Sequence, residues 1–219
     1  MKKETIKIRI AIFSTLLIVI FGTMINCIYG QVNKIDELSH NYKDKLIRFH
    51  VLANSDSDRD QDLKLKVRDE VIEYLQPKLK NSKSLNESEN IILNEKNNLI
   101  DICEKVIRDN GYDYAVDVQL DYSKFPAKQY SSVVLPAGEY RSLKILIGEA
   151  KGKNWWCVMF PPLCFVDKEN NVIDEETDKK LKEILTEEEY ELIVEKNDVK
   201  VGQLEIKFKI VEIIQKIIN

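Results

Sequence analysis

From Ile10 to Asn33 the chain carries no charge, and Ile10 to Ile28 is its most apolar run. These nineteen residues, at about 1.5 Å of helical rise each, nearly match a hydrocarbon core roughly 30 Å thick, so the pattern predicts a membrane-inserting helix. No polar face is available to meet water, which argues against a buried helix of a soluble protein. Lys2, Lys3, Lys7 and Arg9 precede the run, a bias that keeps the N-terminus cytoplasmic and sends the remainder across the membrane. Ile28-Tyr29-Gly30 offers a signal peptidase only the last of its preferred small residues, so residues 1–30 read as a signal peptide or a membrane anchor. Met24-Ile25-Asn26 ahead of Cys27 lacks the small residues that lipoprotein processing favours. The polar stretch 31–45 reads as a tether, and a single exported domain is expected over 46–219.

Within that domain the pattern changes period repeatedly. Ile47, Phe49, Val51 and Ala53 alternate with Arg48 and His50, as a strand requires. Asn54 to Asp62 then sets hydroxyls and carboxylates ahead of Leu63, Val67, Val71, Leu75 and Leu79, the signature of a helix start. The spacing of Ser84 and Glu87 predicts a second helix carrying Ile92, Leu99, Ile102, Cys103 and Val106, stopping at Asn110-Gly111. Tyr112 to Tyr122 alternates as a strand with a water-facing polar side. Turns at Pro136-Ala137-Gly138 and Gly148–Lys153 then suggest an antiparallel meander through Phe160. Asp174–Lys196 reads as an acidic helix, and Gln203–Ile218 as a short strand or a docking helix. The fold class expected is α+β: a mostly antiparallel sheet with helices packed on one face, preceded by the N-terminal hydrophobic membrane segment.

Composition narrows the chemistry. Of 219 residues, 44% are hydrophobic and 32% charged, in the globular range, and the net charge of −4 offers no footprint for nucleic acid. His40 and His50 are the only histidines, which leaves little material for a catalytic base or an imidazole metal site. Asp56, Asp58 and Asp60 match the opening of a calcium loop, but Gln61 and Val67 stand where its glycine and bidentate glutamate belong, so no metal is expected. No phosphate cradle, nucleophile elbow, HExxH helix or CxxC pair occurs, and neither a cofactor nor a catalytic residue is expected. Cys157 with His50 is the best nucleophile and base that an exported cell-wall hydrolase could use here. A structural membrane-anchored module is the other alternative.

The unusual segment is Asn154–Phe165, which holds both tryptophans and two of the four cysteines. In a strand Trp155 and Trp156 point to opposite faces, and packing of both in the core competes with a role as partner anchors. Pro161-Pro162 ends the strand and brings Cys157 and Cys164 to either side of a stiff bend, where a disulfide is sterically conceivable and free thiols are the alternative. Candidate partner-binding residues are Trp155, Trp156, Phe160, Pro161, Pro162 and Leu163, with Asn54, Ser55 and Asp56 second.

Arg48–Val67 with Leu52-Ala53-Asn54-Ser55-Asp56-Ser57-Asp58, then Phe125-Pro126, Leu135–Tyr140 and Asn154–Phe165, closely resembles the stage II sporulation protein R family. The resemblance covers residues 46 to about 167 and includes the apolar N-terminus; beyond Asp167 it is one of character only. It implies a sporulation signalling protein of an endospore-forming bacterium, exported from the forespore into the space between forespore and mother cell. It further implies that the protein is no enzyme itself, and that its partner is a membrane aspartic peptidase that matures the sigma-E precursor in the mother cell. Residues 10–28 add the membrane as a partner if the segment stays attached.

Overall fold

The computed structural model describes residues 2–163 and 175–194. Helix α1, Lys2–Lys43, runs 42 residues without a break. The large apolar side chains from Ile12 to Ile28 are exposed, whereas Val32 and Tyr42 in its polar half are buried. The expected tether is therefore helical and its far end belongs to the domain. A turn in which the Lys45 and Leu46 amides donate to the Tyr42 and Lys43 carbonyls leads into β1, Ile47–Leu52.

Ser57 caps α2, Asp58–Leu79, by accepting from the Asp60 amide, as the run of hydroxyls and carboxylates predicts. Leu63, Val67, Val71, Leu75 and Leu79 are all buried on one side of it. The helix expected after Ser84 is two, α3 over Leu85–Asn94 and α4 over Lys96–Asp109. Glu95 breaks them, its backbone at φ −89°, ψ 2°. Its carboxylate accepts from the Tyr74 hydroxyl, from Lys78 Nζ at 2.9 Å and from Asn98 Nδ2 at 2.6 Å. Those three bonds to α2 and to the next turn, led by that of Tyr74, hold its carboxyl at about 2.

The remaining strands are β2 (Val116–Phe125), β3 (Lys128–Tyr130), β4 (Val133–Leu135), β5 (Gly138–Ile147) and β6 (Asn154–Phe160). The main sheet has the order β2-β5-β1-β6, while β3 and β4 pair separately. The α+β class is as expected, and two of the three pairings in the main sheet, β2 with β5 and β1 with β6, are antiparallel. The expected meander does not form: β1 lies between β5 and β6 and runs parallel to β5, and β4 pairs with β3 rather than with β5. Burial explains the exchange. Five of the six residues of β1 are fully buried, and a strand covered on both faces belongs at the sheet centre.

One face, with Phe49, Val51, Leu143, Ile145 and Cys157, packs on α2, α3 and α4 around Val67, Val71, Leu99 and Cys103. Each such buried aliphatic or aromatic side chain contributes about 2 kcal/mol. The other face is also closed. Phe125 pairs with Gly138 at the end of the β2–β5 ribbon, yet its ring lies 5.1 Å from that of His50, so the ribbon curls back over the sheet. Helices α5 (Glu175–Ile184) and α6 (Glu187–Ile193) complete this second layer with Leu181, Leu185 and Ile193 against Tyr42, Leu46 and Val133. The acidic segment is thus two helices, divided where Thr186 and Glu189 form a capping box. The expected element at Gln203–Ile218 lies outside the described residues.

Candidate functional site

The turn after β1 is a clamp joining three segments. Asn54 Nδ2 donates to Asp60 Oδ2 at 3.0 Å while its Oδ1 accepts from the Glu149 amide at 2.9 Å. Ser55 Oγ donates to the same Asp60 oxygen at 2.5 Å, and the Tyr114 hydroxyl donates to the other at 3.2 Å. Asp56 Oδ1 accepts from the Lys153 amide at 2.6 Å. The Ser55 hydroxyl, against the opposing effect of burial and aided by Asn54 and Tyr114, holds the Asp60 carboxyl below its usual range. The clamp also explains two glycines in the β5–β6 loop. Gly148 has φ +58°, and a Cβ there would stand 2.3 Å from Asn54 Oδ1; at Gly152 it would stand 2.2 Å from the Ser55 carbonyl oxygen. The Asn54 amide, the Ser55 hydroxyl and one oxygen of the exposed Asp56 are thus bonded within the chain, where they fix the start of β6.

In β6 the tryptophans do point to opposite faces. Trp155 meets Phe49 edge-on at 5.8 Å, with the Arg68 guanidinium 4.9 Å above its ring. Trp156 stacks on His50 at 5.1 Å and 4°, and contacts Phe125 at 4.7 Å. Both are half-buried, as is Pro162. Phe160, Pro161 and Leu163 are buried. A register shift between Ile47 and Arg48 pairs Phe160 with Ile47, and both join the helix-side core. The candidate set therefore divides: Phe160, Pro161 and Leu163 anchor the strand's end, and Trp155, Trp156 and Pro162 offer accessible surface.

The cysteine chemistry is equally specific. Cys157 is disulfide-bonded and Cys27 and Cys103 are free; Cys164 lies outside the described residues. Burial pushes the Cys103 thiol up to about 12, which suppresses the thiolate. Cys157 is in register with Phe49, whereas His50 is in register with Trp156. Cys157 and His50 consequently occupy opposite faces of the sheet and form no nucleophile–base pair.

Arg48, Tyr130 and Tyr140 were not candidates from the sequence. Arg48 is 0% exposed, and its guanidinium lies 4.2 Å from the Phe125 ring centre and 4.8 Å from that of Tyr140. Its Nη2 donates to the Tyr130 hydroxyl at 2.7 Å, while Nε and Nη1 have no hydrogen-bond partner among the described residues. Its place on the polar side of an alternating strand was the one signal available, and that side normally faces water. Next to it, burial lowers His50 to about 4, opposed by the contact with Asn154 and assisted by Lys144 and Arg48. Among the described residues no group of acidic, histidine and cysteine side chains could hold a metal ion.

The sequence pattern of the stage II sporulation protein R family matches residues 43–170, from the last residue of α1 through the whole sheet. The chain belongs to the stage II sporulation protein R family. Stage II sporulation protein R of Bacillus subtilis (strain 168) is 36% identical over 178 residues, covering 77% of this chain and 80% of the relative. No solved structure matches the chain. Ile12–Ile35 is long and apolar enough to cross a membrane, in keeping with membrane anchoring or a signal sequence.

Proposed function

We propose that this chain is an exported sporulation signal, non-enzymatic itself, whose domain binds the extracytoplasmic part of a membrane-embedded aspartic peptidase and favours its active arrangement. Proteolytic maturation of the sigma-E precursor in the mother cell follows from that binding. The observation that carries this reading is the family match across residues 43–170, which takes in the clamp and β6. The apolar helix supports export from the forespore into the intermembrane space. The separation of Cys157 from His50 supports a binding role over hydrolysis. Activation by binding requires only a higher affinity for the active state of the peptidase than for the resting one. Trp155, Trp156 and Pro162 are the contact surface on this reading, with Asn54, Ser55 and Asp56 holding it in place.

The test is to co-produce the chain with the candidate peptidase and the sigma-E precursor in a non-sporulating bacterium and to blot for the shortened precursor. Shortening that requires the exported chain is expected. Shortening that is independent of the chain, or its absence with both proteins present in the membrane, would sink the proposal.

A further inference from the structure

Helix α1 passes through Ile28-Tyr29-Gly30 without interruption and ends only at Lys43. Its two halves have different surroundings. Around Gly22 and Gly30 an added Cβ would meet nothing within 4 Å, and Ile12, Phe13, Ile18, Phe21 and Ile28 are each more than half exposed. Two residues after Gly30 the situation reverses. Val32 is buried, Tyr42 is 0% exposed and packs with Leu46, Val133 and Tyr140, and Lys34 Nζ lies 2.8 Å from Glu188 Oε1. Lys45 Nζ donates at 2.6 Å to Glu189, a carboxylate that is 2% exposed and also closes the capping box of α6.

We propose that α1 is a permanent anchor and strut: the domain stays attached to the membrane, with the N-terminal end of α6 held against the lipid surface. A peptidase cleft takes its substrate as an extended strand with small side chains. Here the junction is helical, Ile28 occupies a position that calls for a small residue, and the helix beyond it is fastened into the domain core. The occupant of the exposed apolar half is the lipid bilayer. The uncharged run is of spanning length and is flanked by basic residues on the cytoplasmic side. From Ile28 to Val32 the helix rises only about 6 Å, and to Lys34 about 9 Å, so α6 lies at headgroup depth. This arrangement is independent of whether the domain activates a peptidase.

The full chain is first produced in an exporting bacterium and its membranes are washed with carbonate, followed by intact mass measurement. The uncut chain in the pellet is expected; a soluble product beginning at Gln31 overturns the anchor. Next, Glu188→Cys in a Cys27→Ser background is labelled with a fluorophore and reconstituted into vesicles carrying a headgroup quencher. Quenching is expected to fall several-fold when a flexible Gly-Ser linker of a dozen residues is inserted after Gly30, with unchanged near-ultraviolet dichroism showing that the domain remains folded. Weak quenching that the linker leaves unaltered overturns the apposed strut.

Discussion

Asn54 uses both ends of one amide to join the start of α2 to the β5–β6 loop. Asn54→Ala removes both bonds and leaves their partners exposed to competition with water, so it is expected to cost about 1–3 kcal/mol in urea unfolding. His50 makes stability depend on pH. Its pKa of about 4 lies below the ordinary 6.5, so the unfolded chain takes up the proton first as pH falls. Stability should therefore decline from about pH 6.5, lose about 3 kcal/mol in all, and level off below pH 4. Unfolding curves across that range check it, and a His50→Gln variant should lack this component. Arg48 has no ion-pair partner among the described residues, and its aromatic surroundings suit an apolar chain of similar length. Arg48→Met is accordingly expected to keep stability within about 1 kcal/mol or raise it. A much larger loss would show that the guanidinium is paired in solution.

At the scale of elements, helix starts were legible because they depend on neighbours in sequence. Ser57 and its acidic followers define the first turn of α2 from within four residues. The break at Glu95 was not legible, because its causes, Tyr74 and Lys78, reside on another helix. Leu99 lies just past that break and is fully buried between α4 and the sheet. Leu99→Ala is expected to destabilise the domain by roughly 2–4 kcal/mol, measured by denaturant unfolding. The tryptophans were placed correctly on opposite faces by strand periodicity alone. That Phe160 leaves this alternation to join the helix-side core follows from the register shift against β1, which no local pattern encodes.

On the scale of the whole molecule, the Asn154–Phe160 strand is welded to its surroundings from both sides. Clamp residues fix its beginning, and the bonded Cys157 with buried Phe160 fixes its end. Cys157 is bonded while Cys27 and Cys103 are free, and we propose the Cys157–Cys164 bridge that the stiff Pro161-Pro162 bend suggests. Alkylation of the unfolded, unreduced exported protein is expected to label Cys27 and Cys103, and to reach Cys157 and Cys164 only after reduction, as read by peptide mass. Labelling of Cys157 without reductant would falsify the bridge. Within the polar motif around Asn54, the Asn54 amide and the Ser55 hydroxyl serve this internal joinery, while Asp56 stays exposed.

The sequence by itself determined the apolar helix, the strands around Phe49 and Val118, the start of α2 and the family. Each of these is encoded in residues adjacent in the chain or repeated at a fixed period. Only the tertiary structure decided that β1 enters between β5 and β6, that the β2–β5 ribbon closes over Arg48 and His50, and that the polar half of α1 is part of the domain. Those outcomes depend on which surfaces find cover, and cover comes from segments tens of residues away. A strand that must hide both of its faces goes to the centre, and a cation on its polar side goes with it.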